Sequence, residues 1–224
     1  MDKISCIVPA YNEEKRIGNV LKILESHPLV DELIVINDGS VDNTEKIIRK
    51  FSCRVISFKK NKGKSYAVAK GIAIAKNNII MLVDSDLEGL KKRNISDLIL
   101  PVKNEEADIT ISIRKNSIII YRLLGLDFVS GDRVFRKNLI KNLEEIKKLP
   151  GYGLECFLNE IIIKKRLRLN IVNWKNVVAP GKHAKIGFFK GMLKEIPMIK
   201  QIIKTVGAYK MFNQSFKMLA LKVN

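Results

Sequence analysis

The sequence predicts an α/β fold in which helices cover both faces of a mostly parallel β-sheet. Two observations predict it: short runs of strand length alternate with helical patterns, and these runs are apolar at nearly every position. Such runs suit strands that are buried on both faces, and strands that alternate with helices typically form parallel sheets. The chain has 224 residues, enough for one large domain or for a domain with an appendage.

The first half of the chain contains the regular alternation. Apolar runs predict strands over Ile4–Val8, Leu33–Ile36, Val55–Phe58, Ile79–Val83 and Ile109–Ile113. We expect Asn12 to cap the first helix, with Glu13 and Glu14 in its first turn. The buried face of that helix is predicted from apolar residues at helical spacing, namely Ile17, Val20, Leu21 and Leu24. A second helix should follow Asp42-Asn43-Thr44, and a third should cover Lys64 to Ala75.

The pattern is less regular beyond residue 114. Helices are predicted over Lys137–Lys148 and Leu154–Lys165, and a strand over Leu167–Trp174. The last 43 residues, 182–224, contain nine lysines and a single acidic residue, Glu195. Apolar residues lie between those lysines, which indicates two or three short basic amphipathic helices. We therefore expect a main domain over residues 1–181 and a basic helical appendage over residues 182–224.

The net charge restricts the choice of partners. The formal charge is +18, which favours polyanionic partners such as nucleic acid, phosphorylated ligands or an acidic membrane surface. Cys6, Cys53 and Cys156 have unrelated spacings, so we expect reduced thiols and a cytoplasmic protein. We also expect neither an export signal nor a membrane-spanning helix, which leaves a peripheral position on a membrane.

Polar residues follow four of the predicted strands, at the sheet edge where ligands bind in open parallel sheets. These segments are Pro9-Ala10-Tyr11-Asn12-Glu13, Asn37-Asp38-Gly39-Ser40, Asn61-Lys62-Gly63-Lys64 and Asp84-Ser85-Asp86. The first three also have a structural explanation as a helix cap, a turn and solvated lysines. Asp84 and Asp86 repel each other unless a cation compensates them, and Mg²⁺ or Mn²⁺ with a diphosphate is a usual partner of such a pair.

Two nucleotide-binding motifs are excluded by single positions. Gly63-Lys64-Ser65 resembles the end of a P-loop, but Phe58 stands where the first glycine is required. Gly151-Tyr152-Gly153 begins like a dinucleotide fingerprint, but Cys156 replaces its third glycine. The chain therefore matches neither a P-loop ATPase nor a Rossmann dehydrogenase.

Taken in order, the four polar segments resemble those of the family 2 glycosyltransferases, which have the GT-A nucleotide-diphospho-sugar transferase fold. Within that family the chain is most similar to the enzymes that transfer a sugar to polyprenyl or dolichyl phosphate. Ser130-Gly131-Asp132-Arg133 resembles a further segment of this subgroup, and Gly151-Tyr152-Gly153-Leu154-Glu155 resembles the segment that holds the catalytic acidic residue. The chain departs from the subgroup at Glu88, where the mannosyltransferases usually have Gln. We also expect no transmembrane tail, which is a second departure from the subgroup.

The resemblance implies a role for each site residue, with residues 1–181 as the catalytic domain. The nucleotide-sugar would be bound by Pro9, Ala10, Tyr11, Glu13, Asp38, Lys64 and Asp84. Pro9, Ala10, Tyr11 and Glu13 would contact the nucleobase. Asp38 would contact the base or the ribose, and Lys64 would contact the diphosphate. Mg²⁺ or Mn²⁺ would be held by Asp84, Asp86, Glu88 and His183. The residues assigned to catalysis are Asp86, Glu155 and Arg133.

These residues predict an inverting, metal-dependent hexosyltransferase that uses a UDP- or GDP-sugar donor. The predicted acceptor is a lipid phosphate at the inner face of an anionic membrane, and the alternative acceptor is a hydroxyl group of a cell-envelope glycan. A different class stays open, namely a basic nucleic-acid or lipid-binding protein with a degenerate nucleotide fold. Only 7% of the residues are aromatic, which argues against nucleic acid because single-strand binders need stacking platforms.

Overall fold

The computed structural model describes residues 2–179 and 207–223. Seven strands in these residues form one sheet, in the order β3-β2-β1-β4-β6-β5-β7. The strands are β1 (Ile4–Ala10), β2 (Glu32–Asn37), β3 (Arg54–Ser57), β4 (Ile79–Leu82), β5 (Ile109–Arg114), β6 (Arg133–Arg136) and β7 (Leu169–Trp174). All strands except β6 run in one direction, since β6 pairs antiparallel with both β4 and β5. The predicted mostly parallel sheet is confirmed.

Helices connect the strands and pack on the sheet. They are α1 (Ile17–Glu25), α2 (Thr44–Ile48), α3 (Lys64–Ile74), α4 (Lys92–Lys103), α5 (Ile119–Leu124), α6 (Leu143–Lys147), α7 (Gly153–Lys165) and α8 (Ala208–Leu219). A short 3₁₀ helix covers Lys137–Leu139. Two hydrophobic layers flank the sheet, one beneath α1 and α4 and the other beneath α3 and α7. Neighbouring strand residues alternate between the layers, for instance Ile7 in one and Val8 in the other, which explains the continuous apolar runs.

Two predicted helices differ from the structure. Asn12 does not cap α1, because its backbone has a φ of 56° and its side chain accepts a hydrogen bond from the Val41 amide instead. The helix begins at Ile17, although all four apolar residues predicted for its face are buried. The single helix predicted over Lys137–Lys148 is also wrong. The 3₁₀ helix ends at Leu139, and Asn142 caps a new helix by accepting a hydrogen bond from the Glu145 amide.

The described part of the predicted appendage is α8. Met218 is fully buried, and the Gln214 amide donates a hydrogen bond to the Cys156 carbonyl in α7. Backbone bonds between Leu169 and residues 221–223 continue the sheet edge. The proposed boundary at residue 181 and the predicted helices before α8 lie outside the described residues. No helix in the described ranges is both long enough and apolar enough to cross a bilayer.

Candidate functional site

The loops that follow β1 and β2 are joined to each other at the carboxyl edge of the sheet. The Asn12 amide donates to Ser40 Oγ at 3.0 Å, and the Glu13 amide donates to Thr44 Oγ1 at 2.8 Å. The Val41 amide donates back to Asn12 Oδ1 at 2.9 Å. These bonds between loops replace the local helix cap and fix two adjacent walls of the site.

Four residues were predicted to line the nucleobase pocket on these walls. Tyr11 is 46% exposed and therefore accessible to a ligand, whereas Ala10 is buried at the end of β1. Pro9 is also buried within β1. The Glu13 carboxylate pairs with Arg16 at 3.0 Å, so it is partly neutralised within the chain.

Asp38 positions the loop that leads into α3. Its carboxylate accepts hydrogen bonds from the amides of Lys62 and Gly63, both at 2.8 Å, and from the Asn61 side chain at 3.0 Å. Only 3% of Asp38 is exposed. Burial raises the pKa of this carboxyl, and the amide donors partly offset the rise. In this structure Asp38 thus orients the Lys64 segment, and its contact with a base or ribose stays a prediction.

Lys64 lies at the first residue of α3 and bridges two acidic side chains. Its Nζ is 2.8 Å from Asp84 Oδ1, beyond β4, and 3.0 Å from Glu155 Oε1 in the first turn of α7. A Cβ atom at Gly131 would lie 2.4 Å from Lys64 Nζ and 2.7 Å from Asp84 Oδ1. Glycine is therefore required at position 131 for Lys64 and Asp84 to meet as they do.

Arg114, at the end of β5, contacts the same aspartate from the other side. Its guanidinium is 3.1 Å from Asp84 Oδ2 and 3.6 Å from Asp132 Oδ2. Asp132 is fully buried and also accepts a hydrogen bond from the Asp84 amide at 3.0 Å. Burial would raise the pKa of Asp84, but Lys64 and Arg114 outweigh it and hold that pKa below its usual range. The two cations thus keep Asp84 ionised.

Asp86 has the opposite environment. Among the described residues its carboxylate has no hydrogen bond or ion pair. Burial, together with the nearby charge of Asp84, raises the pKa of Asp86 to about 6. The charge of Arg114 offsets this rise only in part. A carboxylate that has no ion pair of its own is suited to a divalent cation.

The predicted metal ligands are therefore not equivalent. Asp84 is paired with Lys64 and Arg114, and Glu88 is half-exposed and paired with Arg16 at 3.3 Å. His183 lies outside the described residues. The described ranges contain no group of three acidic, cysteine or histidine side chains arranged for a metal. The residues still fit Mg²⁺ or Mn²⁺, since such ions are commonly held by one or two carboxylates, with phosphate and water as the other ligands.

The placement of Arg133 argues against the catalytic role expected for it from the sequence. This side chain is fully buried, and its guanidinium donates to the carbonyls of Ser130 and Phe128 at 2.7 and 2.8 Å. A third bond, also 2.8 Å, joins it to Asn159 Oδ1 in α7. Arg133 thus fastens β6 to α7 and does not reach a ligand.

Glu155 has one oxygen bound and one free. Oε1 accepts from Lys64, whereas Oε2 is buried and has no hydrogen-bond partner in the described structure. The structure therefore brings Lys64, Asp84 and Glu155 into direct contact and places Asp86 beside them. Asp132 and Arg114 belong to the same cluster, although sequence reasoning assigned no role to Asp132. The signal available for Asp132 was its place in the Ser130-Gly131-Asp132-Arg133 segment.

Comparison with known proteins agrees with this architecture. The family model described as Glycosyl transferase family 2 matches residues 5–151 of the chain. A UDP-N-acetylglucosamine–dolichyl-phosphate N-acetylglucosaminyltransferase from Methanococcus voltae is 30% identical over 83% of this chain and 92% of that protein. A 4,4'-diaponeurosporenoate glycosyltransferase from Staphylococcus aureus is 36% identical, over 43% of this chain and 27% of its own length.

A solved structure also shares the fold. Glucosyl-3-phosphoglycerate synthase from Mycobacterium tuberculosis, in complex with Mn²⁺, UDP and glucosyl-3-phosphoglycerate, superposes with a TM-score of 0.71. The match covers 96% of this chain and 80% of the synthase, with 23% sequence identity. At this identity the likeness establishes the GT-A fold.

Proposed function

We propose that this chain, which belongs to glycosyl transferase family 2, transfers a sugar from a nucleotide diphosphate to a phosphate-bearing acceptor with inversion at the anomeric carbon. The observation that carries the proposal is Asp86, a partly buried carboxylate that has no ion pair among the described residues and lies beside a cluster of charged side chains. Such a group stabilises a fold poorly but is suited to a cation that arrives with a substrate.

The donor would bind across the carboxyl ends of β1, β2 and β4. The joined loops after β1 and β2 would form the base and ribose site, with exposed Tyr11 against the nucleobase. Lys64, oriented by Asp38, would face the diphosphate. A Mg²⁺ or Mn²⁺ ion held at Asp86 would supply Lewis-acid stabilisation of the negative charge on the leaving nucleoside diphosphate.

A phosphate acceptor agrees with the rest of the cluster. A phosphate is already anionic near neutral pH, so it needs no general base and instead needs cations that position it. Arg114 is such a cation at the edge of the site, whereas Glu155 is engaged by Lys64. The M. voltae relative is named for dolichyl phosphate, and the M. tuberculosis synthase was solved with phosphorylated compounds, which supports the same acceptor chemistry.

A hydroxyl acceptor is the second candidate, and one observation favours it. Glu155 Oε2 is buried and has no partner in the described structure, so it could accept a proton from an attacking hydroxyl group. The change in transfer rate on removing the Glu155 charge therefore distinguishes the two acceptors.

A lipid-linked phosphate would place the enzyme at an anionic membrane surface. The net charge of +18 supports this, because each lysine or arginine near an anionic leaflet contributes about 1 kcal/mol. Vesicle sedimentation of the intact chain tests it. We expect binding to anionic vesicles that falls with added salt, and equal binding to neutral vesicles would contradict an electrostatic attachment.

A ligand panel tests the donor. UDP- and GDP-sugars are added with Mn²⁺, and thermal unfolding is followed; a ligand at about 100 times its Kd adds about 2.7 kcal/mol. We expect one nucleotide to stabilise the protein and EDTA to abolish the effect. Stabilisation by single-stranded nucleic acid, with no response to any nucleotide-sugar, would instead support the basic binding protein. Transfer assays with a polyprenyl phosphate and with glycan hydroxyls then identify the acceptor.

A further inference from the structure

Lys64 occupies the position of a cation inside the cluster. It contacts Asp84 and Glu155 at 2.8 and 3.0 Å, and Gly131 leaves the space that this approach needs. Arg114 binds the remaining oxygen of Asp84. Both carboxylate oxygens of Asp84 are therefore compensated by side chains of the protein itself, while Asp86, two residues further on, is not.

We infer that Lys64 is a positioning residue that withholds Asp84 from the metal, so that a divalent cation binds well only together with the nucleotide diphosphate. This inference rests on the proposed function and adds an order of binding to it. Among the described residues of the free protein, Asp86 is the site carboxylate that offers a metal ion an unpaired ligand, and a single carboxylate gives weak binding. The diphosphate attracts Lys64 and supplies further oxygen ligands, so the metal and the nucleotide strengthen each other's binding.

The inference explains why the cluster contains an acidic side chain that is not available to the metal. A metal ion at Asp86 would bind more tightly with Asp84 as a second ligand, yet the positive charges of Lys64 and Arg114 both oppose its approach to Asp84. Because the attraction between nucleotide and metal is reciprocal, removal of Lys64 should strengthen the binding of metal alone and weaken the coupling between the two ligands.

Isothermal titration calorimetry of the full chain with MnCl₂, with and without saturating UDP and in parallel GDP, tests this. In Lys64→Met we expect Mn²⁺ alone to bind at least about tenfold more tightly than in the wild type, because Asp84 Oδ1 loses its partner and becomes available in addition to Asp86. The factor by which saturating nucleotide strengthens Mn²⁺ binding should fall by a similar amount.

Lys62→Met is the matched control, since it removes the same charge two residues away. Lys62 Nζ lies over the rings of Phe58 and Tyr66, at 5.2 and 4.5 Å from their centroids, and has no ion pair in the described residues. We expect this variant to leave the Mn²⁺ affinity within about threefold of the wild type, because a solvent-exposed charge is largely screened.

Two double variants complete the test. In Lys64→Met/Asp84→Asn the gain in Mn²⁺ affinity should disappear, since the released carboxylate is gone. Lys64→Met/Glu155→Gln removes the buried carboxylate that Lys64→Met leaves unpaired, so it should fold and show the gain even if the single variant unfolds.

The inference is overturned if the folded Lys64 variants bind Mn²⁺ no more tightly than Lys62→Met, or if the gain survives Asp84→Asn. Failure of the wild type to bind any nucleotide, with or without Mn²⁺, would contradict the proposed function itself. Nucleotide and metal binding by the wild type without a gain in the Lys64 variants would contradict only the role of Lys64.

Discussion

The two halves of the site are stabilised by different interactions. In the donor half, residues 4–90, the loops are joined mainly by backbone amides that donate to side-chain oxygens, such as those around Asn12 and Asp38. In the acceptor half, residues 109–165, the site is built from buried charged groups, among them Arg114, Asp132 and Glu155. Hydrogen bonds thus hold the loops of the proposed donor half in place, whereas paired buried charges hold the proposed acceptor half together.

The difference shows where function opposes stability. Hydrogen bonds of buried backbone groups stabilise the fold by about 1 kcal/mol each and leave no group unpaired. A buried ion pair contributes little by itself, but removing one partner is costly because it leaves the other charge uncompensated. Asp86 belongs to the donor half, and its carboxylate has no hydrogen bond or ion pair with either half of the described structure.

The largest effect is expected at Asp86. Asp86→Asn should reduce transfer by about 10³-fold, because Lewis-acid stabilisation of a leaving diphosphate is worth several kcal/mol. The same variant should unfold at higher urea concentration than the wild type at pH 7. Its raised pKa shows that the charged form is disfavoured in the fold, so removing the charge should stabilise the free protein by about 1–2 kcal/mol.

Glu88→Gln is the control for this prediction. Glu88 is exposed and pairs with Arg16, so we expect its loss to change transfer by less than about tenfold and stability by less than about 1 kcal/mol. Equal losses of activity in the two variants would show that Glu88 also serves the metal. A destabilised Asp86→Asn protein would contradict the description of Asp86 as an uncompensated charge.

The second effect separates the two arginines of the acceptor half. Arg133→Met should lower the free energy of unfolding by about 3 kcal/mol, because it leaves Asn159 Oδ1 and the Ser130 carbonyl without their donor. Arg114→Lys keeps the charge but loses the planar guanidinium, so it should reduce transfer to a lipid phosphate by about tenfold or more while costing about 1 kcal/mol or less. Urea denaturation measures the stability of each variant, and transfer kinetics measure its activity. A stable but inactive Arg133→Met protein would show that Arg133 acts in catalysis after all.

The same contrast explains which parts of the fold the sequence could predict. Strands β1, β2 and β4 are apolar runs that are buried along nearly their whole length, and the prediction of each is confirmed within two residues. The edge strand β3 is only partly buried, but its prediction is also confirmed within one residue. Strand β6 was missed because arginines stand at both ends of its four residues. Only the structure shows that the Arg133 guanidinium is paired with the Phe128 and Ser130 carbonyls and with the Asn159 side chain in α7. Helix α4 was missed although Ile95, Leu98, Ile99 and Val102 have helical spacing.

For the site, contiguous segments were informative and distant partners were not. The sequence placed Asp84, Asp86 and Lys64 at one sheet edge, because the carboxyl ends of parallel strands meet there. It could not show that Lys64 would pair with Asp84 and with Glu155, a residue 91 positions further along the chain. Nor could it show that Asp38 would turn towards its own loop, since this depends on tertiary hydrogen bonds.

The third prediction tests the acceptor through Glu155. If the acceptor is a phosphate, Glu155→Gln should reduce transfer by less than about tenfold, since no proton has to be removed. A hydroxyl acceptor would require a base, and the variant would then lose about 10²–10⁴-fold with a pH profile that follows a carboxylate. The comparison uses kcat/KM with a polyprenyl phosphate across pH 5 to 9, with wild type and variant measured side by side.

The smallest expected effect concerns the base of the donor half. His27 is buried between α1 and α4, where its Nδ1 accepts from the Leu29 amide at 3.2 Å and its Nε2 lies 3.1 Å from the Lys92 carbonyl. A neutral ring with its proton on Nε2 satisfies both contacts, whereas a second proton on Nδ1 would face the Leu29 donor.

Burial lowers the pKa of His27 from its ordinary value of 6.5, so the unfolded chain binds the proton first as the pH falls. The stability that neutral His27 provides is therefore complete above about pH 6.5 and is lost as the pH falls through the lower, folded pKa. The carboxyl of Asp84 behaves differently, because its lowered pKa preserves its contribution to stability until the pH is well below its ordinary pKa of 3.8.

Urea denaturation of the wild type and of His27→Gln at pH 8 and pH 5.5 isolates the His27 contribution, since the other titrating groups cancel in the difference. We expect the difference in free energy of unfolding to fall by about 1 kcal/mol between these pH values. An unchanged difference would show that α1 and α4 do not depend on a neutral imidazole.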